Sequence, residues 1–203
     1  GDIQLSGMYR FFNRNRQCVH AQVGGSIPTG SITESDVTPA SAPNEVELPY
    51  PMQIGSGTFD TNLALTYLGQ TDQISWGGQL RAILRFGEND RDFRYGNRQS
   101  LTGWFAVKAA DWLSFSTRLE ALVVGEIVGA DPILNPMMVI TSDTSNSWAN
   151  FLNGGLGLNI YIPKGTLKNL RFGFEFATPL YQDVNGIQLK QKETLTFGTQ
   201  YAF

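Results

Sequence analysis

The sequence is poor in three features that often guide a functional assignment: cysteine, histidine and charge. Its 203 residues contain one cysteine and one histidine, and charged residues make up 16% of the chain. A single cysteine excludes an internal disulfide, and a single histidine leaves few routes to acid–base catalysis. Because average soluble domains are roughly 25% charged, this composition is unusual for a soluble domain.

Long apolar runs are missing too. No stretch of about 18 apolar residues occurs, which excludes a transmembrane helix. The net charge of −3 argues against nucleic acid as a partner. The chain does have many glycines, 22 in all, and 12% aromatic residues, as expected for a chain of many strands and turns. We expect no cofactor and no metal.

Period-two alternation of apolar and polar residues predicts strands and no helix. The predicted strands are separated by short and long connections in strict alternation, and the long ones cover residues 28–58, 87–93, 127–147 and 180–192. Bacterial barrels have short periplasmic turns and longer extracellular loops. We therefore predict an all-β, antiparallel transmembrane β-barrel that forms one domain over residues 1–203. The nine predicted strands lie near residues 3–12, 18–27, 59–68, 73–86, 94–108, 112–126, 148–162, 168–179 and 193–203.

The number of strands is itself informative. Single-chain bacterial barrels have an even number of strands, whereas nine are predicted here. If the last strand runs towards the periplasm, the strand at residues 3–12 does so too. We therefore expect an odd number of strands to precede Gly1 in the complete protein.

Eight charged residues fall on the strand face opposite the large apolar side chains. An Arg or Lys facing lipid costs about 2–4 kcal/mol at the bilayer midplane, so we expect the charged face to line the lumen. These residues either select anions or pair with one another across the lumen. The predicted channel-lining residues are Arg81, Arg85, Arg98, Arg118, Glu120, Arg171 and Glu175, and Lys108 shares their face.

The two longest loops, 28–58 and 127–147, are apolar for segments that face solvent. Such loops can fold inward and form a constricted, apolar outer vestibule, although contact with another subunit would explain them as well. The residues predicted to form the constriction are Leu48, Tyr50, Met52, Ile54, Met137 and Met138.

Two other motifs have alternative interpretations. His20 lies on the inward face and could serve a membrane-embedded hydrolase, but no nucleophile is marked near it, so a polar lumen histidine is favoured. The carboxylates of residues 88–92 could bind Ca²⁺, but their spacing lacks the full calcium-loop pattern. A solvated hairpin loop is favoured there.

Residues 195–203 resemble the closing strand and assembly signal of bacterial outer-membrane barrels. Apolar residues share one parity and the sequence ends on an aromatic residue. The resemblance implies recognition by the barrel assembly machinery and contact with outer-membrane lipids. The positions that carry it are Gly198, Tyr201 and Phe203.

A more specific resemblance runs from about residue 19 to residue 203. An ordered set of motifs is similar to the proteobacterial outer-membrane channel family labelled by a role in the meta-pathway of phenol degradation. The resemblance implies a monomeric twelve-stranded barrel, with three strands absent here, that takes up small hydrophobic or aromatic molecules. Its motifs include Ser26-Ile-Pro-Thr-Gly30, Leu48-Pro-Tyr-Pro-Met-Gln-Ile-Gly-Ser-Gly-Thr58, Phe86-Gly-Glu-Asn89, Gly129-Ala-Asp-Pro132 and Pro179-Leu-Tyr-Gln-Asp183.

The sequence therefore predicts a passive outer-membrane channel for small apolar solutes rather than an enzyme. The competing hypothesis is a plugged structural barrel whose loops bind a partner. A hydrolase that uses His20 is the weakest of the three.

Overall fold

The computed structural model describes residues 1–39 and 41–202. These residues form strands and short 3-10 helices, and no described helix has the length and apolar character needed to cross a membrane. In chain order the strands are β1 (Ile3–Arg14), β2 (Gln17–Ile27), β3 (Ser35–Val37), β4 (Glu45–Glu47), β5 (Phe59–Gln70), β6 (Ile74–Phe86), β7 (Phe93–Arg94), β8 (Arg98–Ala110), β9 (Leu113–Val124), β10 (Val128–Gly129), β11 (Ala149–Tyr161), β12 (Leu170–Val184) and β13 (Thr194–Tyr201). The 3-10 helices are Tyr50–Met52, Ile140–Ser142 and Thr144–Ser147.

Nine long strands form one antiparallel sheet in the order β1-β2-β5-β6-β8-β9-β11-β12-β13. Each long strand therefore pairs with the long strands that precede and follow it along the chain, as in an up-and-down barrel. Within the described residues, β1 pairs only with β2, and β13 pairs only with β12. The prediction of an all-β antiparallel fold is confirmed.

The predicted strand boundaries differ from the observed ones mainly in two places. The strand predicted at 94–108 begins at Arg98, because residues 93–94 leave the main sheet and pair with β10. The strand predicted at 168–179 continues to Val184, past an irregularity in its pairing with β11 between Leu152 and Asn153. Both differences lie at the end of the sheet that carries the long loops.

The register of the sheet places the charged residues on one face. Residues directly opposite each other in antiparallel strands project to the same side. Arg85 lies opposite Asp60, and Glu120 lies opposite both Thr102 and Asn153. The other predicted charges follow the same parity, so one polar face runs across the whole sheet.

Burial on the two faces is the reverse of that in a soluble protein. Polar residues on the polar face are buried: Asp60 is 7% exposed and Thr66 is 5% exposed. Large apolar residues on the other face are exposed, for example Leu101 at 60% and Leu156 at 68%. Soluble proteins rarely expose large continuous apolar surfaces. The apolar face therefore needs a hydrocarbon environment.

Two glycines make room for tryptophan rings on opposite faces of the sheet. A Cβ atom added at Gly77 would lie 2.3 Å from Cζ2 of Trp104 and 2.7 Å from the backbone oxygen of Tyr67. A Cβ atom at Gly69 would lie 2.5 Å from Cε2 of Trp76. Each indole therefore covers backbone where any larger residue would collide with it.

We predict that Gly77→Ala destabilises the sheet by about 1–3 kcal/mol, the usual cost of overpacking. The matched control is Gly103→Ala on the adjacent strand, where the nearest atom to an added Cβ is 3.9 Å away. We expect the control to change stability by less than about 1 kcal/mol. The measurement is urea unfolding in detergent, followed by tryptophan fluorescence and gel mobility. Equal stability of the two variants would contradict the packing seen at Trp104.

Candidate functional site

The polar face is concave, and it encloses a cavity near the short turns. The cavity has a volume of about 630 Å³ and is lined by residues from strands as far apart in the sheet as β5 and β13. Because five strands separate β5 from β13, the sheet must curl towards its polar side. Side chains on this face that reach the cavity include Ser75, Lys108, Ser114, Asn159, Arg171 and Gln200.

A network of ion pairs crosses the middle of the polar face. Arg118 donates from Nη2 to Oε1 of Glu175 at 2.7 Å and from Nε to Oε2 at 3.1 Å, a bidentate geometry. It also donates from Nη1 to Oε2 of Glu120 at 3.1 Å, and Asn153 donates to the same oxygen at 3.4 Å. Arg118 is thus held by two carboxylates from neighbouring parts of the sheet, so this part of the face is braced.

Arg85 joins the outer end of the polar face to a long loop. Its Nε donates to Oδ2 of Asp60 at 3.2 Å, and its Nη1 donates to the backbone oxygen of Gly96. The guanidinium carbon also lies 5.5 Å from the centre of the Tyr95 ring. Arg85 is therefore held by an ion pair, a carbonyl and an aromatic face together.

Three other predicted lining residues, Arg81, Arg98 and Arg171, form no ion pair within the described residues. All three side chains are exposed. Arg171 lies with its guanidinium carbon 5.1 Å from the ring centre of Tyr161. Lys108 differs, because its Nζ donates to Asp111 at 2.7 Å. Among the described residues, the polar face thus carries some cations that are held in ion pairs and others that are not.

The long loops pack around a small apolar cluster, which we call the loop core. It consists of Tyr50, Phe93 and Ile127, with Tyr95 and Leu134 packed against it. The rings of Tyr50 and Phe93 meet edge to face at 4.8 Å, and those of Phe93 and Tyr95 at 5.5 Å. The loop core therefore ties three separate loops into one body.

Hydrogen bonds complete the loop core. The hydroxyl of Tyr95 donates to the backbone oxygen of Tyr50 at 2.7 Å, and the backbone N–H of Asp131 donates to the hydroxyl of Tyr50 at 2.9 Å. Burial raises the pKa of Tyr95 to about 12 and also raises the pKa of Tyr50. Both hydroxyls therefore stay protonated and able to hydrogen-bond at physiological pH.

Beside the loop core, Arg91 lies between two carboxylates. Its Nη2 contacts Oε2 of Glu47 at 2.6 Å, and its Nη1 lies 3.8 Å from Oδ1 of Asp131. The remaining oxygens, Oε1 of Glu47 and Oδ2 of Asp131, are buried without a protein hydrogen bond. Burial, followed by the charge of Asp131, raises the pKa of Glu47.

The six residues predicted to form a constriction differ in burial. Tyr50 is buried in the loop core and Leu48 is half-buried, whereas Met52 and Ile54 are exposed. Met137 and Met138, in the loop 127–147, are 92% and 82% exposed.

The other predicted positions lie on the strands. His20 lies opposite Arg10 and Thr66 on the polar face. Gly198 and Tyr201 are part of β13, and Phe203 lies outside the described residues.

Two features were missed by the sequence analysis. Trp104 lies on the polar face between Gly77 and Arg118 in the register. Its position two residues after Thr102 on the same strand could have predicted this orientation. The loop core was missed because Phe93 and Ile127 occur where no strand or helix period applies.

We predict that Arg118→Met destabilises the protein by about 1–3 kcal/mol, because Glu120 and Glu175 would then face each other without their cation. The matched control is Lys108→Met, which removes an exposed pair and should cost less than about 1 kcal/mol. Urea unfolding in detergent measures both effects. Comparable losses for the two variants would contradict a bracing role for Arg118.

The raised pKa of Glu47 predicts that the loop core is more stable in acid. A carboxyl group with a raised folded-state pKa contributes stability that is complete below its unfolded pKa of about 4.3. That contribution is lost as the pH rises through the higher folded value. Amide exchange at residues 47–50 and 131–134, corrected for intrinsic rates, should therefore be slower near pH 5 than near pH 8.

Glu47→Gln should remove this pH dependence and slow exchange near pH 8, because the amide keeps an acceptor for Arg91 without the second negative charge. Glu45→Gln, an exposed change on the same strand, is the control and should leave the pH dependence intact. Protection that does not vary with pH in the unaltered protein would refute the prediction.

Comparisons with known proteins show similarity at the level of the fold. No protein-family model and no curated protein matches the chain. Among solved structures, the chain is similar to the COG4313 outer membrane channel from Pseudomonas putida F1, with a TM-score of 0.65 and 14% sequence identity. The match covers 98% of this chain and 64% of that channel, so the chain spans less than two thirds of that channel's length. The shared fold confirms the prediction of a β-barrel.

Proposed function

We propose that the protein is a passive channel of the bacterial outer membrane for small hydrophobic or aromatic molecules. The observation that carries the proposal is the reversed burial of the sheet. Large apolar side chains are exposed on one face, and Asp60, Asn62 and Thr66 are buried on the other. Bacterial outer-membrane barrels place an apolar band against lipid and a polar surface in the lumen.

The shape of the polar face supports a channel. The cavity of about 630 Å³ lies on the concave side, beside the short turns of the sheet. The likeness to an outer membrane channel supports the same role. The phenol-pathway label of the resembling family suggests aromatic solutes, and this substrate class is part of the proposal.

The complete channel would close through strands that pair with the free edges of β1 and β13. Three such strands would give the twelve of the resembling family. We propose a monomer, with lipids against the apolar face and the barrel assembly machinery acting on β13 through Gly198 and Tyr201. In this proposal, Arg98 and Arg171 line the passage, whereas Arg85, Arg118, Glu120 and Glu175 brace it.

The loop core favours a second candidate, a barrel that is closed at its outer end. Tyr50 and Phe93 are almost completely buried, and the hydrogen bonds around them join loops from distant parts of the chain. In that case the exposed Met137 and Met138 would contact a partner rather than a passing solute.

Planar-bilayer recording of the full-length polypeptide separates the two candidates. The channel should give discrete openings, with a reversal potential in a KCl gradient that indicates anion preference, because unpaired arginines line the passage. Arg98→Glu combined with Arg171→Glu should move the reversal potential towards cations. Arg16→Glu, at an exposed short turn, should leave it unchanged. Absence of openings under all conditions would favour the closed barrel.

A further inference from the structure

The polar face contains an apolar patch near the long loops. It consists of Ile83, Leu122, Val124 and Phe151, all half-buried. The register places them together: Leu122 lies opposite Phe151 on one side and Ser100 on the other. Val124 lies opposite Arg98, which in turn lies opposite Ile83. We call these four residues the lumen patch.

Two arginines border the lumen patch. Arg98 lies between Ile83 and Val124 in the register, and Arg81 lies opposite Ser100, which in turn lies opposite Leu122. On neighbouring strands, residues that lie directly or diagonally opposite each other have side-chain positions roughly 5–8 Å apart. Long side chains at these positions can reach a common point over the patch.

Neither of these two guanidinium groups is paired with a carboxylate of the described residues. Within the described residues, the side chains of Arg81 and Arg98 form no ion pair, and both are exposed. The nearby carboxylates on this face are already engaged: Asp60 accepts from Arg85 at 3.2 Å, and Glu120 accepts from Arg118 at 3.1 Å. The field over the lumen patch is therefore positive.

There is also room beside Arg81. A cavity of about 170 Å³ borders Arg81 and is lined by Gln22, Asn62 and Gln79 on the same face. The lumen patch itself lies at the long-loop end of the sheet, because β6 and β9 end at Phe86 and Val124 and β11 begins at Ala149. A solute that enters from the long-loop side would meet this region early.

We propose that the lumen patch with Arg81 and Arg98 binds an amphipathic carboxylate, a molecule with a hydrocarbon body and one carboxylate group. The hydrocarbon would cover Leu122, Val124 and Phe151, and the carboxylate would pair with both guanidinium groups. This inference rests on the proposed channel function and narrows its substrate class from apolar solutes to apolar anions.

The alternatives are less well matched. A cationic amphiphile would bring its charge to two unpaired arginines without a free carboxylate nearby. A neutral apolar molecule would gain only the hydrophobic contact and would leave both guanidinium groups unpaired. Charge-assisted hydrogen bonds to arginine are roughly twice as strong as neutral ones, so the anion is favoured.

The test measures binding to the full-length polypeptide in nanodiscs by equilibrium dialysis, with empty nanodiscs subtracted. The probes are octanoate, octylammonium and 1-octanol, which share one hydrocarbon length. Octanoate should bind at least about tenfold more tightly than octylammonium, as expected for two exposed charge pairs. Phe151→Ala should weaken the binding of octanoate and of 1-octanol by the same factor. We expect about threefold to tenfold, because both probes lose the same apolar contact.

Arg81→Gln combined with Arg98→Gln should abolish the preference for octanoate and leave binding of 1-octanol unchanged. The matched control, Arg16→Gln, should keep the preference. Heat-dependent gel mobility shows that each variant is folded, and unchanged 1-octanol binding shows that the lumen patch is intact. If the double variant fails to fold, the single variant Arg98→Gln is tested in the same way.

Equal binding of octanoate and octylammonium would overturn the inference, and so would a preference that survives in the folded double or single variant. Bilayer recording on the same preparation distinguishes a refuted anion site from a refuted channel proposal. Openings without octanoate preference would refute only the anion site, whereas absence of openings would refute the channel.

Discussion

Separation of hydrocarbon from charge, residue by residue along each strand, is the constraint on which the structure depends. A strand has a side-chain period of two, so a register shift by one residue would move Arg81 or Arg118 to the apolar face. Several such errors together, at about 2–4 kcal/mol each at the bilayer midplane, would match the whole stability of a domain. The pairing of all nine strands is therefore fixed by the environment on the two faces, and no compact apolar core is needed.

The charges that lie inside are not equivalent, and the difference separates structural from functional roles. Arg118 and Arg85 are saturated by carboxylates, a carbonyl and an aromatic ring, so they hold strands and loops in place. Arg81 and Arg98 have the same residue type and the same parity but no anionic partner within the described residues. Because an ion pair leaves little charge to attract a solute, only the unpaired arginines can give the lumen a positive field.

The strands and their faces could be predicted from sequence, because alternation is a local signal and each strand repeats it several times. Pairing of charges across the lumen was one of the two alternatives that the sequence left open, and Arg118 with Glu175 is such a pair. The loop core could not be predicted. Tyr50, Phe93 and Ile127 meet only after distant segments have been brought together, and no period marks a loop residue as buried. For the same reason, the burial of Tyr50 in the loop core could not be predicted, whereas Met137 and Met138 are exposed.

The loop core has a consequence for how the exposed end of the protein can vary. Surface loops normally accept substitutions independently of one another. Here Tyr50, Phe93 and Asp131 belong to three loops but share one set of contacts, so a change in one loop restricts the residues tolerated in the other two. Substitutions are least restricted at exposed loop positions outside the loop core, such as Met137 and Met138.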